Sequence, residues 1–255
     1  QPHPSGVKKI MYRYQEEGTW TSWMEYDVPF GFPKESHHIL EYYCVDNVDN
    51  VEATHSEDYY VDKTPPTTTK TYDVPIYPDA SSYPKWITSA TEITLSADDG
   101  NSEHDSGVDT TKYMVALVDD MYCRSLEACT VQVDGVYNEY TGPFTIPEDS
   151  CHLIEYYSVD RVEKTETVNR QCVYVDNKPP VSEEKIVGPS YNVTENQERK
   201  TYIDGITRIE LSCQDQQPHP SGVKKIMYRY QEEGVWTAWT EYDTPIGFPE
   251  ESHHI

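Results

Sequence analysis

Basic residues are scarce in this chain: 20 Lys and Arg stand against 45 Asp and Glu, for a formal net charge of −25. Phosphate backbones and anionic lipid surfaces are held by Lys and Arg, so nucleic acid and acidic membranes are excluded as main partners. No apolar run approaches the roughly 18 residues that a membrane-spanning helix needs. There is no initiating Met and no signal peptide, and the chain opens in mid-motif, so any targeting segment is expected outside it. A glycine-rich phosphate loop, a nucleophile elbow and an HExxH pair are all missing. Ser, His and acidic residues fall in no spacing that implies a catalytic triad, and the chain is not expected to be an enzyme. Aliphatic core residues are sparse. No dozen residues keep a clean 3.6-residue apolar period free of Pro or Gly, which argues against helices.

What is abundant points to strands and turns. The chain holds 22 Tyr, 5 Trp and 18 Pro. It is also repetitive. Residues 1–39 recur at 217–255 with six of 39 positions changed. Such near-identity reads as recent duplication within a longer array. A weaker repeat lies inside the long one. LEYYCVDNVDNVE (40–52) matches IEYYSVDRVEKTE (154–166), YVDKTPP (60–66) matches YVDNKPP (174–180), and IELSCQDQ (209–216) matches ITLSADDG (93–100). SGV occurs at 5–7, 106–108 and 221–223. The diprolines at 65–66 and 179–180 stiffen the chain and cannot continue a ladder, so they mark linkers. Cutting there gives the closing part of one domain (1–66), a complete domain (67–180) and the opening part of a third (181–255).

Within 67–180 the strand candidates are 91–97, 111–118, 129–135, 142–147, 152–159 and 170–176, separated by turn residues. In ILEYYCV, Leu40, Tyr42 and Cys44 are expected to face inward while Glu41 and Tyr43 face out. Six or seven such strands in about 110 residues suit a two-sheet sandwich.

Cys213 in ELSCQD and Cys44 in EYYCVD fall where strands B and F of an immunoglobulin-type domain would run, and Tyr42 stands two residues before Cys44. With SGV…EYYxVD…YVDxxPP, the chain resembles the immunoglobulin-like modules of bacterial and archaeal surface proteins. The resemblance implies an all-β fold of tandem immunoglobulin-like β-sandwich domains. It also implies a B–F disulfide at the Cys213 and Cys44 positions of complete domains. Ala97 and Ser158 take these two positions in 67–180, where both cysteines are absent together. That domain has its own Cys123, Cys129, Cys151 and Cys172. Four cysteines allow three pairings; the expected ones are 123–129, closing a small loop, and 151–172, stapling two neighbouring strands. Disulfides place the chain outside the cytoplasm, extracellular or on the cell surface.

Carboxylates cluster at predicted loop ends. Asp98, Asp99 and Asp105 lie in the B–C loop of 67–180. Asp160 lies in its F–G turn, as Asp46 and Asp49 do in the preceding unit. Asp62 and Asp176 lie in the linkers. The expected meetings are Asp62 with Asp98, Asp99, Asp105 and Asp160, and Asp176 with Asp215. Clustered carboxylates without a cation are costly, and Ca²⁺ takes six to eight oxygens, so calcium is the expected cofactor.

His37–His38 and His253–His254 are adjacent on strands and should point to opposite faces, which disfavours shared chelation. Trp20 and Trp23 are expected on opposite faces too, in core or sheet-edge packing rather than on a surface glycan. Asn192-Val193-Thr194 is a glycosylation sequon. The expected role is a structural segment of a cell-surface filament, stalk or S-layer-like fibre, with neighbouring repeats or copies of itself as partners. The alternatives are an adhesin or carbohydrate-binding array, and a spacer beside an enzyme.

Overall fold

The computed structural model describes residues 3–79, 82–100, 102–195, 197–232 and 234–248. Among them the one helical element is a 3₁₀ turn, Asp120–Cys123, and the remaining elements are strands. No helix among the described residues is long and apolar enough to cross a membrane.

Strands β1 (Val7–Glu16), β2 (Thr19–Trp20), β3 (Met24–Glu25), β4 (His37–Asp46) and β5 (His55–Tyr60) form an antiparallel sheet in the order β2-β1-β4-β5, with β3 also on β1. After the first diproline come β6 (Thr67–Tyr72), β7 (Ile76–Tyr77), β8 (Trp86–Ile87), β9 (Ile93–Asp98), β10 (Val108–Val118), β11 (Asn138–Glu139), β12 (Ser150–Asp160) and β13 (Asn169–Val175). They make two sheets, β6 with β9 and β11-β10-β12-β13-β8-β7. After the second diproline, β14 (Val181–Val187) pairs with β17 (Arg208–Gln214), and β15 (Ser190–Glu195) with β16 (Glu198–Ile203). The β1–β4 and β10–β12 pairs share a register down to one irregularity, which follows Val7 in the first and Val108 in the second.

The two sheets of 67–180 meet face to face across Ile87, Ile93, Ile146, Ile154, Val173 and Val175. Burial of a side chain such as Ile154 contributes about 1.5–3 kcal/mol. β12 is also buried on its other face. Cys151 and Leu153, alternating with His152 and Ile154, join Cys172, Tyr174, Cys123 and Cys129 in a second cluster. The segment after β10 lies across this outer face and contributes Val131 and Val133 to it.

That covering segment corrects two expectations. Residues 129–135 form no strand, and 142–147 contributes only an isolated bridge from Phe144 to Ile93. The alternation in TVQV records side chains set down on a sheet face, not a ladder. The disulfides are Cys123–Cys151 and Cys129–Cys172, not 123–129 and 151–172. Cys151 and Cys172 sit diagonally on β12 and β13, opposite Tyr174 and Leu153 respectively, so each is free to reach up to the covering segment. Cys44 and Cys213 are unpaired and partly buried. Where the B–F bridge would lie, Ser158 Oγ is hydrogen-bonded to Thr68 Oγ1 at 2.6 Å and to Thr111 Oγ1 at 2.8 Å.

Non-reducing peptide mapping should recover 123–151 and 129–172. Replacing Cys129 and Cys172 together by Ala should lower stability by about 2–4 kcal/mol in denaturant titration. A map that joins Cys123 to Cys129 would contradict this packing.

Candidate functional site

The junction between β5 and β6 collects acidic side chains from three places. Asp62 follows β5, Asp99 follows β9, and Asp160 ends β12. Each is held by a local backbone reason. Asp160 Oδ1 accepts the N–H groups of Val162 (2.9 Å) and Lys164 (2.8 Å), which closes the turn after β12. Asp99 Oδ2 accepts from Gly107 N–H at 2.7 Å. Asp62 Oδ1 accepts from Thr64 N–H (3.1 Å) in its own linker, and Oδ2 from Ser106 N–H (2.7 Å) in the next unit. Gly107 takes φ +85°, a conformation that favours glycine, and a Cβ there would also push aside the Arg161 guanidinium, whose Nη1 would lie 2.6 Å away.

The three carboxylates are 7, 7 and 1 % exposed, and one oxygen from each lies within 4.8 Å of the others. Asp99 Oδ1 and Asp160 Oδ2 are buried with no hydrogen-bond partner. Burial, then the negative charges of Asp62, Asp160 and Asp105, push the Asp99 carboxyl above its usual range, although Gly107 opposes them. Burial also acts to raise Asp62, but the Ser106 and Thr64 donors and Lys164 outweigh it and hold Asp62 below the usual range. A buried acceptor without a donor is destabilising, and here two of them share a space with a third carboxylate. An all-oxygen donor set of this charge fits a hard divalent cation.

The second junction repeats the frame. Asp176 accepts from Lys178 N–H (3.1 Å) and Ser221 N–H (2.9 Å), and Asp215 accepts from Gly222 N–H at 2.7 Å. An aromatic contact repeats beside it: Tyr60 stacks on His104, and Tyr174 on His219, with centroids 6.2 and 5.2 Å apart.

Three of the four expected partners of Asp62 lie beside it. Asp99 and Asp160 join it directly. Asp105 joins it in an adjoining, less buried group with Glu35. Asp98 does not join: its side chain is exposed and accepts from Gly100 N–H at 3.2 Å. As the last residue of β9 it points to the face opposite its neighbour Asp99. Glu35 and the stacked histidines were not anticipated. Both had a trace in the sequence, since an acid recurs ahead of β4 and β12 (Glu35, Asp149) and His-x-Ser-Gly occurs at His3, His104 and His219.

His37 and His38 point to opposite faces. His37 pairs with Asp58 at 2.7 Å, while His38 is buried against Ser36 and stacked on Phe32. His253 and His254 lie outside the described residues. Trp20 and Trp23 do not lie on opposite faces: both rings pack on the Arg13 guanidinium, at 4.4 and 4.7 Å. The chain leaves regular strand between them, which resets the alternation. Arg229 repeats the arrangement with Trp236 and Trp239. Asn192 is exposed on the β15–β16 hairpin and accepts from Thr201 Oγ1 at 2.7 Å.

No family model matches the chain and no curated protein matches it.

The raised Asp99 carboxyl sets a pH dependence. Without a cation, its contribution to stability is unfavourable above its folded pKa and is relieved as pH falls through that raised value. In chelator, the difference between wild type and Asp99→Asn should therefore shift in favour of wild type on acidification from neutral pH. Thermal unfolding of both proteins across that range measures it, and parallel curves would reject the assignment.

Proposed function

We propose that this chain is a segment of an extracellular, cell-surface rod of tandem immunoglobulin-like β-sandwiches whose junctions are fixed by Ca²⁺. The observation that supports it best is the buried meeting of Asp62 with Asp99 and Asp160. One carboxylate comes from the preceding unit and two from the next, and two of their oxygens lack partners. A bound cation would satisfy those oxygens and make the interdomain angle part of a coordination site. Interdomain contacts are otherwise small and polar and leave neighbours free to bend. The recurrence of the same donors at Asp176 and Asp215 supports a regular array, because one junction geometry applied repeatedly gives a rod of constant pitch.

The two disulfides of 67–180 support an oxidising location. Extracellular modules bind Ca²⁺ at about 10⁻⁴–10⁻³ M, which suits a site of only three carboxylates. The partners of such a segment are neighbouring repeats and further copies of itself, in a filament, stalk or S-layer-like fibre without catalysis. A glycan-binding array is a second reading, drawn from the paired tryptophans at Arg13 and Arg229. It ranks lower because a guanidinium already occupies one face of each indole.

Solution scattering of the chain in Ca²⁺ and in chelator tests the rod, with calorimetry for uptake. Ca²⁺ should lengthen and stiffen the particle and slow proteolysis near 62–66. Asp99→Asn with Asp160→Asn should abolish most of that difference while leaving strand content unchanged. Identical profiles in both conditions with no heat of binding would reject calcium at the junction.

A further inference from the structure

β6 and β13, the first and last strands of 67–180, lie on opposite sheets, and one polar contact between them crosses the core. Lys70 on β6 reaches inward and its Nζ is hydrogen-bonded to Oε1 of Gln171 on β13. Tyr72 Oη donates to the same oxygen at 3.3 Å. The other end of the carboxamide is held as well, since Gln171 Nε2 donates to Tyr83 Oη. Lys70 Nζ sits 3.7 Å over the Tyr72 ring, and no carboxylate contributes to its titration. Burial, then the charge of Lys85, lowers Lys70 to about 6, so the amine is largely unprotonated and nucleophilic at neutral pH. Burial keeps the phenol of Tyr83 protonated, with its pKa raised to about 12.

We propose that Lys70 and Gln171 join in an intramolecular isopeptide bond that ties the first strand of this unit to the last. The Nζ lone pair adds to Gln171 Cδ, and the developing oxyanion on Oε1 is met by the Tyr72 hydroxyl. The proton shed by Nζ ends on the leaving nitrogen, with Tyr83 Oη the group placed to relay it. The Cδ–Nε2 bond breaks and ammonia departs. One amine and one primary amide become one secondary amide and ammonia, with no oxidant, cofactor or energy source. Fixed geometry of this kind replaces a slow bimolecular step by an intramolecular one. The pair belongs to this repeat type alone within the chain. By strand register, the other type has Glu184 at the Lys70 position and Glu57 at the Gln171 position.

The bond does not depend on the rod reading, but its use does. In a loaded rod, tension would enter near Thr67 and leave near Val175. A covalent link from β6 to β13 carries it past the strands between them.

The test is mass spectrometry of the full chain purified folded. Its intact mass, after allowance for the disulfides and the substitution, should fall one ammonia short of that of Lys70→Met, a comparison that cancels any ammonia lost by cyclisation of the amino-terminal Gln1. Digestion with a protease specific for acidic residues should release one linked species containing Lys70 and Gln171. Trypsin is unsuitable, because cutting after Arg170 leaves an amino-terminal Gln171 that loses ammonia by itself. Lys70→Met, which fills the same space without a nucleophile, should restore the missing mass. Two separate peptides with unmodified Lys70 and Gln171 from folded wild-type chain would overturn the proposal, whether or not the variant folds.

Discussion

Everything at the junctions depends on how one linker carboxylate divides its two oxygens. Asp62 spends one on the N–H of Thr64, two residues along its own linker, and the other on the N–H of Ser106 in the next unit. Asp176 does the same with Lys178 and Ser221. A side chain with one anchor on each neighbour sets distance and angle together, which a stiff diproline alone cannot do. It also carries negative charge into a space already lined by Asp99 and Asp160. The geometry that orients the units is therefore the geometry that gathers uncompensated charge. The proposed cation answers both facts at once: it removes the repulsion that would open the junction and adds bonds that exist only when the junction is closed.

Much of this was legible in the sequence, and the reason is the repeat. Comparing YVDKTPP with YVDNKPP, and the SGV copies with one another, aligns linkers and loops without any structure. Asp62, Asp99 and Asp160 could be assembled that way because each is fixed by local backbone geometry, a turn or a capped loop, that its neighbours specify. Asp98 could not be separated from Asp99 by the same reasoning. Both lie in one acidic run, and only the last register position of β9 decides which of the two turns inward. Trp20 and Trp23 failed for a related reason. Alternation predicts faces only while a strand continues, and the break after Trp20 put both rings on Arg13. The all-β class was readable from turns and Tyr-rich alternating runs. The outer cover on β12 was not, because Val131 and Val133 alternate as a strand would while making no ladder.

That cover explains why 67–180 carries different internal ties from its neighbours. In the other repeat type, cysteines stand at the Cys44 and Cys213 positions. Here Ser158 takes part in a buried hydroxyl network with Thr68 and Thr111, extended by Glu166 to the backbone of Thr68. A hydrogen-bonded network specifies register but contributes less than a disulfide to the folded state's stability. The disulfides of this unit lie elsewhere, on the outer face, and they join the covering segment to β12 and β13 rather than one sheet to the other.

The sheets of 67–180 are consequently joined across the core by packing, by hydroxyls and by Lys70 on Gln171. Of these only the last has the chemistry to become covalent. A lysine turned inward at the edge of the core and without a carboxylate is otherwise hard to explain on stability grounds. Desolvating an amine is costly, a methionine or leucine would pack there without that cost, and a surface lysine would serve solubility as well. Pairing it with a neutral carboxamide recovers one hydrogen bond and leaves the desolvation uncompensated. The arrangement makes physical sense if the amine is there to react. Once it does, no amine is left to desolvate, the carbonyl oxygen keeps the Tyr72 hydroxyl as donor, and the first and last strands are joined where a pull along the chain would first separate them.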